Sequence, residues 1–433
     1  MNRNSLSNRL SQLMDEHRNS TSLEMGLNSI SLLLLLTSRT PDLIKQINEM
    51  GTAFQLPAIQ SLCDDLVTEL PGDIGSLPEH LDPEFLIDAL QLVTETEDPI
   101  VLAEALREYH EKSKAVSAYV ANSNEVVLMT ALTGNTADKV VFDGAAGLAR
   151  IPSNLKSSRL VLQELDELSW KISYRLLLMT GQKFSFEHGN SLSNPQVLSA
   201  SCDLAIMTPP FGLRLGTAEL QAIQKEGSYL VVKPNTAAIP SSANDSLWIQ
   251  LALYSLKDTG RACLILPPGW LFRGGYDGKV REYLLENELI EAVIGLPKHF
   301  LNHTAIEPMV LVLARNREKG SPIHFVDASQ IGVSSLRQHQ ITTEDAQLIA
   351  ELASGRLPED HRYKAVYMSE IRRHDNVLSI QQYIKRQEEI NVPDLADAIR
   401  HLAEAEEAHH QAQNHLNRLM RQVSEANSGQ STH

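Results

Sequence analysis

From Lys139 onward, short runs of β-branched and apolar residues recur at helix-length intervals, and this alternation restricts the fold more than any other feature of the chain. The runs occupy residues 140–143, 159–165, 202–207, 261–267, 291–297, 309–315 and 323–328. Strands separated in this way are joined by helical crossovers, which predicts an α/β domain with a mostly parallel sheet and helices on both faces. Ligands of such sheets bind beyond the carboxyl ends of the strands, so chemistry is expected just after each run.

The flanking regions read differently. Leu10, Leu13 and Met14, followed by residues 25–36, keep apolar spacing near the helical period, with Pro57, Pro71 and Pro78 in the connections. A helical domain is therefore expected over 1–112, the α/β domain over 113–335 and a C-terminal helical region over 336–433. In that last region Leu395, Ala398, Leu402, Ala405, His409, Ala412, Leu416, Leu419 and Val423 alternate steps of three and four. This is a coiled-coil seam, which calls for a partner helix, and His409 within it reads as a register-setting residue rather than a metal ligand.

Several classes are disfavoured. Residues 1–18 lack the apolar core of a signal peptide, and the leucine run at 32–36 is too short to cross a bilayer. Cys63, Cys202 and Cys263 lie far apart without a CxxC pair, which argues against structural zinc or a disulfide framework and fits a reducing cytoplasm. With 38 basic against 54 acidic residues the formal charge is −16, which counts against autonomous DNA binding. A DNA enzyme of this balance needs a local basic cleft or a partner that supplies affinity.

Three segments carry chemistry. Asp143, Gly144, Ala145 and Gly147 form a small-residue loop after the first strand, where backbone can approach a ligand and a carboxylate can meet an ammonium group. Glu164 ends the next strand, where a carboxylate can hold both hydroxyls of a ribose. The most specific segment is Thr208-Pro209-Pro210-Phe211: paired prolines stiffen an extended backbone with free carbonyls, and an aromatic ring follows that can stack on a base.

Residues 208–211 resemble the amino-methyltransferase motif Asn/Asp/Ser-Pro-Pro-Tyr/Phe, and 143–149 resemble a methyl-donor loop. Tyr119, Ala121 and Asn122 stand where an aromatic–aromatic–Thr-Pro segment lines the cofactor site, and Asn190 lies in a segment similar to one near the cofactor adenine. Longer stretches at 260–275, 289–297, 325–329 and 372–384 match as well. On these residues the chain resembles the modification subunit of type I restriction-modification systems, which are S-adenosylmethionine-dependent adenine-N6 DNA methyltransferases.

The resemblance implies a Rossmann-like class I methyltransferase domain preceded by an α-helical domain and followed by a helical tail. It implies Thr208, Pro209, Pro210 and Phe211 as catalytic residues. Tyr119, Ala121, Asn122, Asp143, Gly144, Ala145, Gly147, Glu164 and Asn190 would bind S-adenosylmethionine, with no metal. It further implies cytoplasmic action on DNA beside a specificity subunit, and a restriction subunit in a phage-defence system, with association as a hetero-oligomer or homodimer through the C-terminal helix. The chain departs from the pattern at Thr208, at Ala121-Asn122 in place of Thr-Pro, at Leu148-Ala149 in place of a small residue and glycine, and at Asn190 in place of Asp. These departures keep open a methyltransferase-fold scaffold without activity. Methylation of a protein glutamine uses the same Pro-Pro chemistry but does not require the 260–329 matches.

Overall fold

The structure, a computed structural model, describes residues 3–385 except 73, 113–120, 234–238, 303 and 336–337, together with the single residues 407 and 413. The described residues up to Lys385 belong to one compact unit. The expected seam at 395–423 lies outside the described residues.

The described chain begins with helices α1 (Arg3–Glu16), α2 (Leu23–Arg39), α3 (Pro41–Glu49), α4 (Thr52–Glu69), α5 (Pro83–Thr94) and α6 (Pro99–Lys112). The leucine run sits in α2, where residues 32–36 are buried among Leu6, Leu10, Phe85, Leu90 and Leu106. Solvation of that run is avoided by neighbouring helices. No helix among the described residues is long and apolar enough to cross a membrane.

Each of the seven apolar runs forms a strand: β1 (Val140–Asp143), β2 (Arg159–Glu164), β4 (Cys202–Met207), β5 (Leu256–Leu266), β6 (Ile290–Gly295), β7 (Met309–Ala314) and β8 (Ile323–Asp327). The sequence reading missed β3 (Phe184–His188), whose only buried residue is Phe186. Further on, β9 (Val333–Ser334) and β10 (His339–Gln340) make a small ribbon, and β11 (Tyr363–Val366) joins the main sheet. Within the region expected to be helical from residue 336, the described residues thus include β10 and β11 beside helices. There β11 pairs antiparallel with the edge strand β8, where main-chain donors and acceptors would otherwise be open.

The main sheet has the order β11-β8-β6-β7-β5-β4-β1-β2-β3. Neighbours are parallel except where β7 runs against β5 and β6, and β11 against β8. The remaining helices are α7 (Ser123–Thr133), α8 (Arg150–Asn154), α9 (Glu167–Thr180), α10 (Thr217–Glu226), α11 (Asn244–Ser255), α12 (Gly275–Glu286), α13 (Thr343–Ala353) and α14 (Met368–Arg373). Alternation along β5 divides two cores. Ala262, Leu264 and Leu266 pack with α10, α11, α12 and α14, whereas Cys263 and Ile265 pack with α7, α9 and α13. The mostly parallel sheet buried on both faces is the expected architecture.

A buried arginine couples the first helices to this sheet. Arg175 on α9 is fully buried and donates to the Ile74 carbonyl at 2.7 Å, the Asn28 carbonyl at 2.8 Å and the Ser31 hydroxyl at 2.9 Å. An acceptor left buried without a donor costs about 1–3 kcal/mol. Arg175→Met is therefore expected to lose at least about 2 kcal/mol, read as a lower urea midpoint. An unchanged midpoint would show that water replaces the guanidinium.

Candidate active site

The loops that follow β1, β2, β3 and β4 leave the same edge of the sheet and line one cavity of about 460 Å³. The strand order reverses between β4 and β1, the place where open α/β sheets part their loops to form a crevice.

In the first loop, Asp143 is 3% exposed and accepts the Ala145 N–H at 3.0 Å. Burial pushes its carboxyl up to about 8. Gly144 lies so close to the ring of Phe142 that a Cβ would come within 2.9 Å of it, and within 3.3 Å of the Trp248 indole. Gly147 has φ +52° and donates its N–H to Glu164 at 2.7 Å. Small residues are thus dictated by packing beneath the loop and by its left-handed turn.

Glu164 closes β2. One carboxylate oxygen takes the Gly147 N–H and the other the Asp166 N–H at 2.8 Å, and burial raises its pKa. A carboxylate offers about four acceptor sites, so two remain for a pair of vicinal hydroxyls. After β3, the Asn190 carbonyl oxygen accepts the N–H groups of Leu192 at 3.0 Å and Ser193 at 3.2 Å. Its amide donates to Glu219 at 3.0 Å.

After β4 comes the segment of greatest interest. Thr208 is 7% exposed and lines the cavity, yet its hydroxyl has no hydrogen-bond partner. The loop is held from behind by a relay: Trp248 Nε1 donates to the Asn244 side chain at 3.0 Å, and Asn244 donates to the Pro210 carbonyl at 3.1 Å. A buried hydroxyl without a partner is costly unless a ligand completes it.

Of the site residues expected from sequence, Gly144, Ala145, Gly147, Glu164, Asn190, Thr208 and Pro210 meet at the cavity. Asp143 is buried beside Gly144 and outside the lining, Pro209 is buried, and Phe211 is half-buried against the core on the α7 side. Ala121 and Asn122 are engaged elsewhere. The Ala121 carbonyl accepts from Arg150 at 2.9 Å, whereas Asn122 caps α7 with Glu125 and donates to the Phe300 carbonyl at 2.7 Å. Tyr119 lies outside the described residues. Trp248, Glu219, Leu213 and Leu215 also line the cavity and were not singled out from sequence. They come from the segment after β4 and from α10 and α11, which carry no local signature. Among the described residues no group of His, Cys, Asp or Glu is arranged to hold a metal ion.

This sheet, with β7 reversed between β5 and β6 and a cavity at its switch point, is that of a Rossmann-like class I methyltransferase. A family model described as N-6 DNA methylase matches residues 125–391, and the chain belongs to that family. S-adenosylmethionine is the cofactor of this family and fold. The chain is 26% identical over 256 residues to the type I restriction enzyme MjaVII methylase subunit of Methanocaldococcus jannaschii, covering 56% of this chain and 44% of that one. It is 30% identical over 150 residues to the MpnII methylase subunit of Mycoplasma pneumoniae, covering 35% and 28%. It is 24% identical over 252 residues to the HindI methylase subunit of Haemophilus influenzae, covering 55% of each. The matched segments thus span between 28% and 55% of these relatives.

Among solved structures, the type I restriction-modification methyltransferase subunit of Streptococcus thermophilus superposes with a TM-score of 0.68 at 16% identity, covering 89% of this chain and all of that one. A chain from a study of type I restriction-modification complex assembly gives 0.64 at 17% identity, covering 97% and 99%. Both share the fold.

The raised Asp143 pKa has a measurable consequence. A cationic ligand against the Gly144–Gly147 loop that Asp143 supports favours the ionised carboxylate, so below about pH 8 binding is expected to release the proton. Affinity for S-adenosylmethionine is expected to rise by up to about tenfold per pH unit towards pH 8 and to level off above it. In Asp143→Asn the profile should be flat. Calorimetry from pH 6 to 9 checks this, and identical profiles for both proteins would remove Asp143 from the linkage.

Proposed function

We propose that this chain is the modification subunit of a type I restriction-modification assembly, transferring a methyl group from S-adenosylmethionine to adenine N6 in DNA. The observation that carries the reading is Thr208, which lines the cavity with Pro210 at the carboxyl end of β4 and whose buried hydroxyl has no hydrogen-bond partner. Family membership and the acceptor positions of Glu164 support it.

The cavity suits the cofactor by its chemistry. Glu164 would hold the ribose hydroxyls, the backbone around Gly144 to Gly147 would follow the methionine part, and Leu213 and Leu215 would flank the base. The cofactor, when bound, supplies an electrophilic methyl group. An adenine inside a duplex cannot reach this depth, so the target base must leave the stack. Thr208 Oγ1 then accepts one N6 hydrogen and the Pro209 carbonyl the other, which draws the nitrogen lone pair out of ring conjugation. The Asn244–Trp248 relay fixes the loop and thereby aims those acceptors, so positioning supplies much of the rate.

Target choice and DNA affinity are assigned to a separate specificity subunit, docked through the heptad seam at 395–423, because the net charge of −16 disfavours DNA binding by this chain alone. Deletion after Asn391 is expected to abolish co-purification of that partner while cofactor binding persists. Full retention of the partner would place docking elsewhere.

Thr208 also decides between enzyme and inactive scaffold. A threonine hydroxyl reaches less far than an asparagine amide, so Thr208→Asn should raise adenine-N6 methylation by about 5- to 150-fold, equivalent to about 1–3 kcal/mol. Thr208→Val, which keeps the shape and removes the acceptor, should lower it. Long-read detection of modified adenines with the specificity partner present gives the measurement. If wild type and Thr208→Asn both bind cofactor yet leave every adenine unmodified, the scaffold reading stands in place of the enzyme.

A further inference from the structure

Accepting the cofactor reading above, the geometry points to Glu219 as the residue that recognises the adenine of the cofactor, through a hydrogen bond from the exocyclic amino group to its carboxylate. The inference follows from which acceptors of the cavity are still free.

Asn190 stands in the loop after β3, and its side chain has nothing left to offer as an acceptor. Its carbonyl oxygen already takes two backbone N–H groups, from Leu192 and Ser193. An amide oxygen has two lone pairs, so a third donor would displace one of these bonds and open the turn. The Asn190 amide faces Glu219 as a donor. An incoming amino group, itself a donor, therefore finds no partner on Asn190.

Glu219 does offer one. It lines the cavity from the first turn of α10 and is only partly exposed. One carboxylate oxygen accepts from Asn190 and the other accepts the Gly216 N–H at 2.8 Å. Those bonds fix the side chain from two directions and leave each oxygen a further lone pair. The apolar lining at this end, Leu165, Leu192, Leu213 and Leu215, suits the faces of a purine. The other carboxylates of the lining are less apt. On the same reading the spare acceptor sites of Glu164 go to the ribose, Asp166 caps α9 by accepting the Ser169 N–H at 2.8 Å, and Glu167 pairs with Lys171 at 2.8 Å.

Asn190 then acts as a positioning residue and Glu219 as the reader. A carboxylate accepts from an amino group and cannot donate to a carbonyl at neutral pH. The site should therefore discriminate adenine from hypoxanthine, which carries an oxygen at the same position. A hydrogen-bonding site that rejects a mismatched partner does so strongly, because two acceptors then face each other with no proton to share.

The test compares S-adenosylhomocysteine with its deaminated analogue, S-inosylhomocysteine, by calorimetry on the full chain. Wild type should bind the adenosyl compound at least about tenfold more tightly. Glu219→Gln presents an amide that can donate or accept, so the preference should fall towards unity, mainly through a gain for the inosyl compound. Asn190→Ala should weaken the preference less and spare the inosyl affinity. An unaltered preference in Glu219→Gln, with the adenosyl compound still bound, overturns the assignment of Glu219 alone. Absence of binding by wild type to either compound at millimolar concentration overturns the cofactor pocket and this inference together. Circular dichroism of the variants separates loss of fold from loss of recognition. A folded Glu219→Gln that gains affinity for the inosyl compound is an outcome that a purely structural role would not produce.

Discussion

Arg150 stands at the start of α8 with only 4% of its side chain exposed, and three glutamates of α6 surround it. Glu111 approaches to 2.6 Å, Glu108 to 3.5 Å and Glu104 to 3.6 Å, while Arg107 pairs with Glu104 and donates to the Leu148 carbonyl at 3.2 Å. Burying this much charge is expensive, and a well-packed apolar substitute is often no less stable. What the network gives is a fixed position. It binds the loop of Asp143 to Ala149 to the first helices from outside, while Ser191 and Ser173 hold the Gly144 and Gly147 carbonyls from inside at 2.6 and 2.9 Å. The cavity's first wall is thus set by helices that contribute none of its lining. This connects the N-terminal region to the cavity by contact rather than by its lining.

The same network explains two of the departures from the family pattern. Leu148 is buried in the core of the first helices, beside Ile172 and Leu176 of α9. A small residue there would leave that core underfilled, so the larger side chain is part of how this chain joins its two regions. Ala149 takes φ +49° with no exposure, a conformation that disfavours any side chain. Bonds on both sides hold it: its N–H reaches the Ala146 carbonyl at 2.7 Å and its carbonyl accepts the Ser153 N–H at 3.0 Å. Strain at this position is carried by the surrounding packing.

What could be read from the sequence was whatever repeats or stands beside its partners in the chain. Strands buried on both faces announce themselves as apolar runs, so seven were found, whereas β3 and β11 at the two edges of the sheet are short and partly charged. The loops after β1, β2 and β4 follow from topology once the sheet is granted. Asn122 and Glu125 also spell a capping box, and the Asn122 side-chain oxygen serves that local pairing while its amide reaches the Phe300 carbonyl. Glu219 and Trp248 were out of reach for a different reason. Each becomes part of the cavity only because the chain returns there after an excursion, and nothing in the neighbouring residues marks the return.

The charge of the molecule acquires a meaning at this cavity. Glu164, Asp166, Glu167 and Glu219 all line it. Such a lining attracts a ligand that carries positive charge and repels phosphate, since low-dielectric walls strengthen both effects. On the proposed reading a nucleic-acid backbone would therefore be held outside, with only an uncharged base admitted to meet Thr208. The separation that type I systems draw between modification and specificity subunits has, on the proposed reading, an electrostatic basis within this chain. The field that favours a sulfonium cofactor is hostile to the polymer it would modify, so the grip on DNA has to come from a surface that does not share that field.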